Sequence, residues 1–152
     1  MSRARTLLRV SLISLLVAGC TGAATSPGPS ASAPAARGAT DFEPTQTNEA
    51  GQVTVEVSWD GPAAGAVFDV KLDTHSVDLD GLDLSDAELT NDRGDSLAAV
   101  PWEAPKGGHH REGRLAFQGD ASTFFADAQW IELTFSGVGG VPERVLRWEV
   151  PA

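Results

Sequence analysis

The chain has 152 residues, with 11 Lys and Arg against 21 Asp and Glu, a formal charge of −10. So negative a chain repels nucleic-acid phosphates and anionic headgroups, which argues against a nucleic-acid binder and against a face that lies on an anionic membrane. It holds one cysteine, so no disulfide closes within it, and stability falls to a core that four Trp and six Phe are large enough to build.

Residues 1–19 have the three parts of a secretory leader. Arg3, Arg5 and Arg9 give a positive start, Leu7 to Val17 form an apolar run, and Ala18-Gly19 supply the small residues ahead of a cleavage point. The run is too short for a transmembrane helix, which needs about 20 apolar residues. The sole cysteine follows at once. The segment Leu16-Val17-Ala18-Gly19-Cys20 resembles the lipobox of bacterial lipoproteins. That resemblance implies a diacylglycerol on the Cys20 thiol, removal of the leader, and a mature chain held by lipid on the extracytoplasmic face of a bacterial cell envelope. The plainer alternative is an incidental thiol in a secreted protein. Loss of the three leader arginines takes the formal charge from −10 to −13.

Residues 20–50 are expected to be the lipidated Cys20 and a flexible tether. Thr21 to Thr40 are almost entirely Ala, Ser, Thr, Pro and Gly, with Arg37 the one charge. Such a segment buries too little apolar surface to offset its ordering entropy. Taken as about 30 residues, it reaches on the order of 30 Å.

From Gly51 onward the pattern is that of strands, and residues 51–152 are expected to form the folded domain. Val53, Val55, Val57 and Trp59 alternate with Thr54, Glu56 and Ser58, a period of two with one apolar face. Asp60-Gly61-Pro62 ends that run. Phe68, Val70 and Leu72 form a second strand, Val77 to Asp80 a short third, Ala87 to Thr90 a fourth, and Leu97 to Trp102 a fifth. Arg111 to Phe117, Ile131 to Phe135 and Leu146 to Val150 follow, with at most one helical turn between Asp120 and Ala128. Seven or eight short strands divided by Gly, Pro, Asn and Asp predict an all-β fold, an antiparallel immunoglobulin-like β-sandwich behind a disordered tether.

Three blocks, Leu72-Asp73-Thr74-His75-Ser76-Val77-Asp78-Leu79, Gly107-Gly108-His109-His110-Arg111-Glu112-Gly113 and Gly139 to Trp148, resemble a group of small exported bacterial lipoproteins without an assigned activity. The resemblance implies one exported β domain and brings no mechanism with it.

Two of those blocks hold all three histidines, His75, His109 and His110. Imidazole is the commonest transition-metal ligand, so these residues, with Asp73, are the candidate Zn2+ or Cu2+ ligands. The plainer alternative is hydrogen-bonded loop histidines. With Cys20 lipidated no thiolate remains for a blue-copper site, and the only Met is the initiator, so Cu(II) on imidazole is the form that fits. Asp78, Asp80, Asp83, Asp86 and Glu88 lack the EF-hand spacing, because Leu82 and Leu89 stand where ligands are needed. They read as a solvated acidic edge. Arg93-Gly94-Asp95 matches an adhesion tripeptide but sits in a turn signal. No nucleophile elbow, phosphate loop or His-Glu-x-x-His is present, so no enzyme is expected. Gly137, Gly139 and Gly140 predict a loop with positive φ before the last strand, entered through a Glu143–Arg144 pair.

The leading expectation is a membrane-anchored exported lipoprotein presenting a β-sandwich as a binding or accessory module to an unknown partner, without nucleic acid. The alternative is a periplasmic or surface metal-binding protein using His75, His109 and His110. A weaker third is a hydrolase working through carboxylates.

Overall fold

A period-two apolar pattern can be buried only against a second layer, and the computed structural model, which describes residues 42–151, supplies one. Eight strands form two four-stranded antiparallel sheets. One sheet has the order β1 (Thr45–Asn48), β2 (Val53–Ser58), β3 (Val67–Thr74), β6 (His110–Ala116). The other has the order β5 (Ser96–Ala98), β4 (Glu88–Asn91), β7 (Trp130–Ser136), β8 (Glu143–Glu149). The chain crosses between sheets after β3, β5 and β6, which sets β3 beside β6 and β4 beside β7 in an immunoglobulin-like arrangement. Cys20, the leader and residues 20–41 of the expected tether lie outside the described residues. Among the described residues no helix is long and apolar enough to cross a membrane.

The inward residues are those the alternation predicts. Val53, Val55 and Val57, then Phe68, Val70 and Leu72, face Ile131, Leu133 and Phe135, then Leu146 and Trp148. Trp59 is the hub: it stacks on Phe68 and Phe125 and meets Phe42 and Trp148 edge-on, with centroids 5.2–6.4 Å apart. Its indole N–H donates to the Gly65 carbonyl, 3.0 Å, which satisfies the one polar atom such a ring buries. The expected helical turn is α1 (Ala121–Phe125), which buries Phe124 and Phe125. Asp120 caps it, accepting from the Ser122 and Thr123 side chains and backbone N–H groups, and these bonds pull its pKa from 3.8 to about 2.

Two expectations differ. The folded part begins before residue 51, because Thr45–Asn48 adds a strand to β2 and Phe42 packs on Trp59. The strand reads Thr-Gln-Thr-Asn and has no apolar alternation, so backbone pairing alone makes it a strand. Val77 to Asp80 is not a strand. Asp78 and Asp83 turn their carboxylates onto the N–H groups of Asp80 and Ser85, competing with a ladder. Leu79 is buried there all the same.

The two seams between the sheets are closed differently. On one, the chain beyond β5 runs onto the edge of β6, with Val100 N–H donating to Ala116 and Gln118 N–H to Ala98. On the other, β8 reaches β1 by side chains: Trp148 Nε1 donates to Pro44, and Arg144 to Asn48 and Ala50.

Candidate functional site

The strand order gives the body two ends. Phe42, Trp59 to Ala66, α1 and Pro151 share one end, since a side chain at Gly61 would meet both Phe42 and Pro151 at 3.9 Å. The β1–β2 turn, the 75–87 loop, the 104–109 loop and the 137–142 loop share the other, because Thr74 faces Val53, Asp73 faces His110 and Ser136 faces Glu143. Every candidate ligand read from the sequence lies at this second end.

Buried arginines organise its loops. Arg144, 1% exposed, donates to the carbonyls of Val138, Asn48 and Ala50 and to Asn48 Oδ1 at 2.5–3.2 Å. Arg111, 7% exposed, donates to Leu79, Leu82, Ala104 and Pro105 at 2.7–3.2 Å and lies over the Trp102 ring, 4.6 Å from its centroid. Neither has a carboxylate within salt-bridge distance among the described residues. Each cation is solvated by loop carbonyls, and so each fixes two loops to one strand. Burial lowers the pKa of Arg144 from the ordinary arginine value. Asp80 adds a third clamp, accepting from the N–H groups of Gly107 and Gly108, both at 2.9 Å. The Gly108 bond, ahead of that from Gly107, holds its carboxyl below the usual range against the opposing effect of burial.

The expected Glu143–Arg144 pair does not form. Neighbours on a strand face opposite sides, and Glu143 is exposed while Arg144 is buried. The glycines before it do take positive φ: 72° at Gly137, 62° at Gly139 and 76° at Gly140.

The histidines part company. His110 opens β6 opposite Asp73 on β3, and its Nδ1–H donates to Asp73 Oδ1 at 2.6 Å. The other Asp73 oxygen lies 3.7 Å from Lys71 Nζ. His109 lies in the Gly107–His110 turn, where its carbonyl accepts the Thr74 N–H. His75 lies exposed beyond the end of β3. Among the described residues, no three His, Cys, Asp or Glu side chains converge on a point where a metal would sit. The expected set of His75, His109, His110 and Asp73 is thus reduced to the single pair Asp73–His110. Lys71, Asp73, His110, Arg111 and Glu112 line a shallow depression on the outer face of the β3–β6 pair.

The Arg93-Gly94-Asp95 turn is internally engaged. Arg93 pairs with Asp95 at 2.8 Å and donates to the carbonyls of Thr123, Phe124 and Ala126 at the end of α1. Bonds from the Asn91 side chain and from Arg93 hold the Asp95 carboxyl below its ordinary range.

Arg111 and Arg144 are the residues that sequence reasoning missed. The signal was present: Arg111 is in phase with Leu115, and Arg144 with Leu146 and Trp148. The long polar side chain outweighed the phase. Comparison with known proteins finds no matching family model, no matching curated protein and no matching solved structure.

Proposed function

We propose that the chain is an exported lipoprotein, anchored through Cys20 on the outside of a bacterial cytoplasmic or outer membrane, whose β-sandwich is a binding module. The recognition surface is the end of the body opposite Phe42. The observation that carries the choice of surface is the pair of buried arginines with no carboxylate within salt-bridge distance among the described residues. Burying a cation against carbonyls alone is a costly way to hold a loop. Here it is used twice, and at the end away from the entry of the anchored chain. Loops held in one conformation bind without a large ordering cost, and binding residues favour loops set on a rigid scaffold.

Two experiments test the two halves. Metabolic labelling with a fatty acid should mark the wild-type chain and not Cys20→Ala; labelling that persists in the variant removes the anchor. Photo-crosslinking residues placed at Glu49 and Asp83 in living cells should yield a discrete adduct. The same residue at Asp60 or Asp127, at the other end, should yield none. Adducts from both ends alike would reject the assigned surface.

A further inference from the structure

We propose that His110 and Glu112 form a surface site for a divalent transition-metal ion, strongest for Cu2+, in which Asp73 positions the imidazole and does not touch the metal. The argument starts from the tautomer. A carboxylate oxygen 2.6 Å from Nδ1 accepts a proton bond, so Nδ1 carries the hydrogen and the Nε2 lone pair is left for a ligand. This is the second-shell arrangement that metal-binding histidines use, with the far nitrogen on the metal and the near one on a carboxylate. Nε2 has room for an ion, because the His110 side chain is 67% exposed.

Glu112 is the second ligand. It lies two residues along β6 on the same outer face, so its Cα is about 6.6–6.8 Å from that of His110. That spacing lets two outward side chains meet at one ion. Its register partner on β3 is Lys71, yet Lys71 turns to Asp73, and Glu112 makes no ion pair among the described residues. All four residues line the same depression. Two protein ligands leave the remaining positions to water, and imidazole with carboxylate suits Cu2+ above Zn2+ in the usual order of affinities. Lys71 beside Asp73 lowers the local negative potential, so the site is weak by the standard of structural zinc. This site uses one histidine of the three and does not depend on the lipid anchor.

The test uses the full chain without a tag, titrated with CuCl2 and ZnCl2 by calorimetry, with electron paramagnetic resonance on the copper form. One ion per chain should bind, with nitrogen coupling from a single imidazole. His110→Ala should abolish binding, and Glu112→Gln should weaken it by roughly ten-fold or more. Asp73→Asn should weaken it by about 10–100-fold while the thermal midpoint stays close to that of the parent. Parent-like binding in His110→Ala would place the ion on His75 or His109 and overturn the site. Full affinity in Glu112→Gln or Asp73→Asn would overturn the role given to that residue. No binding tighter than about 1 mM would end the proposal. None of these variants alters Cys20 or the clamped loops, so their failure leaves the anchored module standing.

Discussion

Arg144 places a positive charge in an interior that offers it carbonyl oxygens and, among the described residues, no carboxylate within salt-bridge distance. Its planar fork divides its donors between the β1–β2 turn and the 137–142 loop, which an ammonium on a flexible stem cannot copy. Arg144→Ala leaves those carbonyls buried without donors and should cost about 3 kcal/mol or more in urea unfolding; Arg144→Lys should recover less than half of it. Trp148 is 1% exposed and also bonds Pro44, so Trp148→Ala should cost about 3–5 kcal/mol. A cost near zero for either would contradict the packing of β8. Asp120 gives a pH signature. Its folded-state pKa of about 2 lies below the ordinary 3.8, so its stabilising effect is complete above the unfolded value and is lost as pH falls through the folded one. The gap in thermal midpoint between the parent and Asp120→Ala should therefore narrow from pH 4 towards pH 2, and a gap that stayed constant would assign the effect to something other than the carboxylate.

At the scale of elements, β1 ties the edge of one sheet to β8 of the other. Removing residues up to Asn48 takes away both Asn48 acceptors of Arg144 and the Pro44 acceptor of Trp148, together with the Phe42–Trp59 contact. That truncation should lower stability by about 3 kcal/mol or more, on the order of 10–20 °C, by differential scanning calorimetry. Truncation that left the midpoint unchanged would make β1 an ornament. The sequence foretold the strands whose apolar residues alternate, and Val53 to Trp59 and Ile131 to Phe135 are its clearest cases. It was blind to β1, because Thr45, Gln46, Thr47 and Asn48 have no apolar phase and exist as a strand only through β2. It misread Val77 to Asp80, because two residues of alternation do not reveal that Asp78 will bond its own backbone. At the site, the three histidines were visible by chemistry, but which of them meets a carboxylate depends on a register that no local pattern states. Asp73 faces His110 because the β3–β6 ladder sets them opposite.

At the scale of the whole molecule, the charge is unevenly used. Lys71, Arg93, Arg114 and Arg147 each lie within 4.0 Å of a carboxylate, and Arg111 and Arg144 are inside. Most carboxylates have no cation, and the chain's isoelectric point is near 4.5. Self-repulsion should therefore limit stability at low ionic strength, and raising NaCl from about 10 mM to about 500 mM should raise the thermal midpoint by a few degrees. A midpoint that fell with salt would mean that the surface ion pairs outweigh the repulsion. The meeting of Phe42 and Pro151 beside Gly61 has a consequence for how the molecule can be rewired. The described chain ends where it begins, so a short linker from Pro151 to Phe42 closes it into a ring without disturbing a strand. Cutting that ring between the exposed residues Ser85 and Asp86 gives a circular permutant with the same core and new ends at the other pole. Under the proposed anchoring through Cys20, such a permutant placed behind residues 1–41 would turn the clamped loops towards the membrane and α1 away from it. An unchanged fold with lost partner capture is the result that orientation-dependent recognition requires.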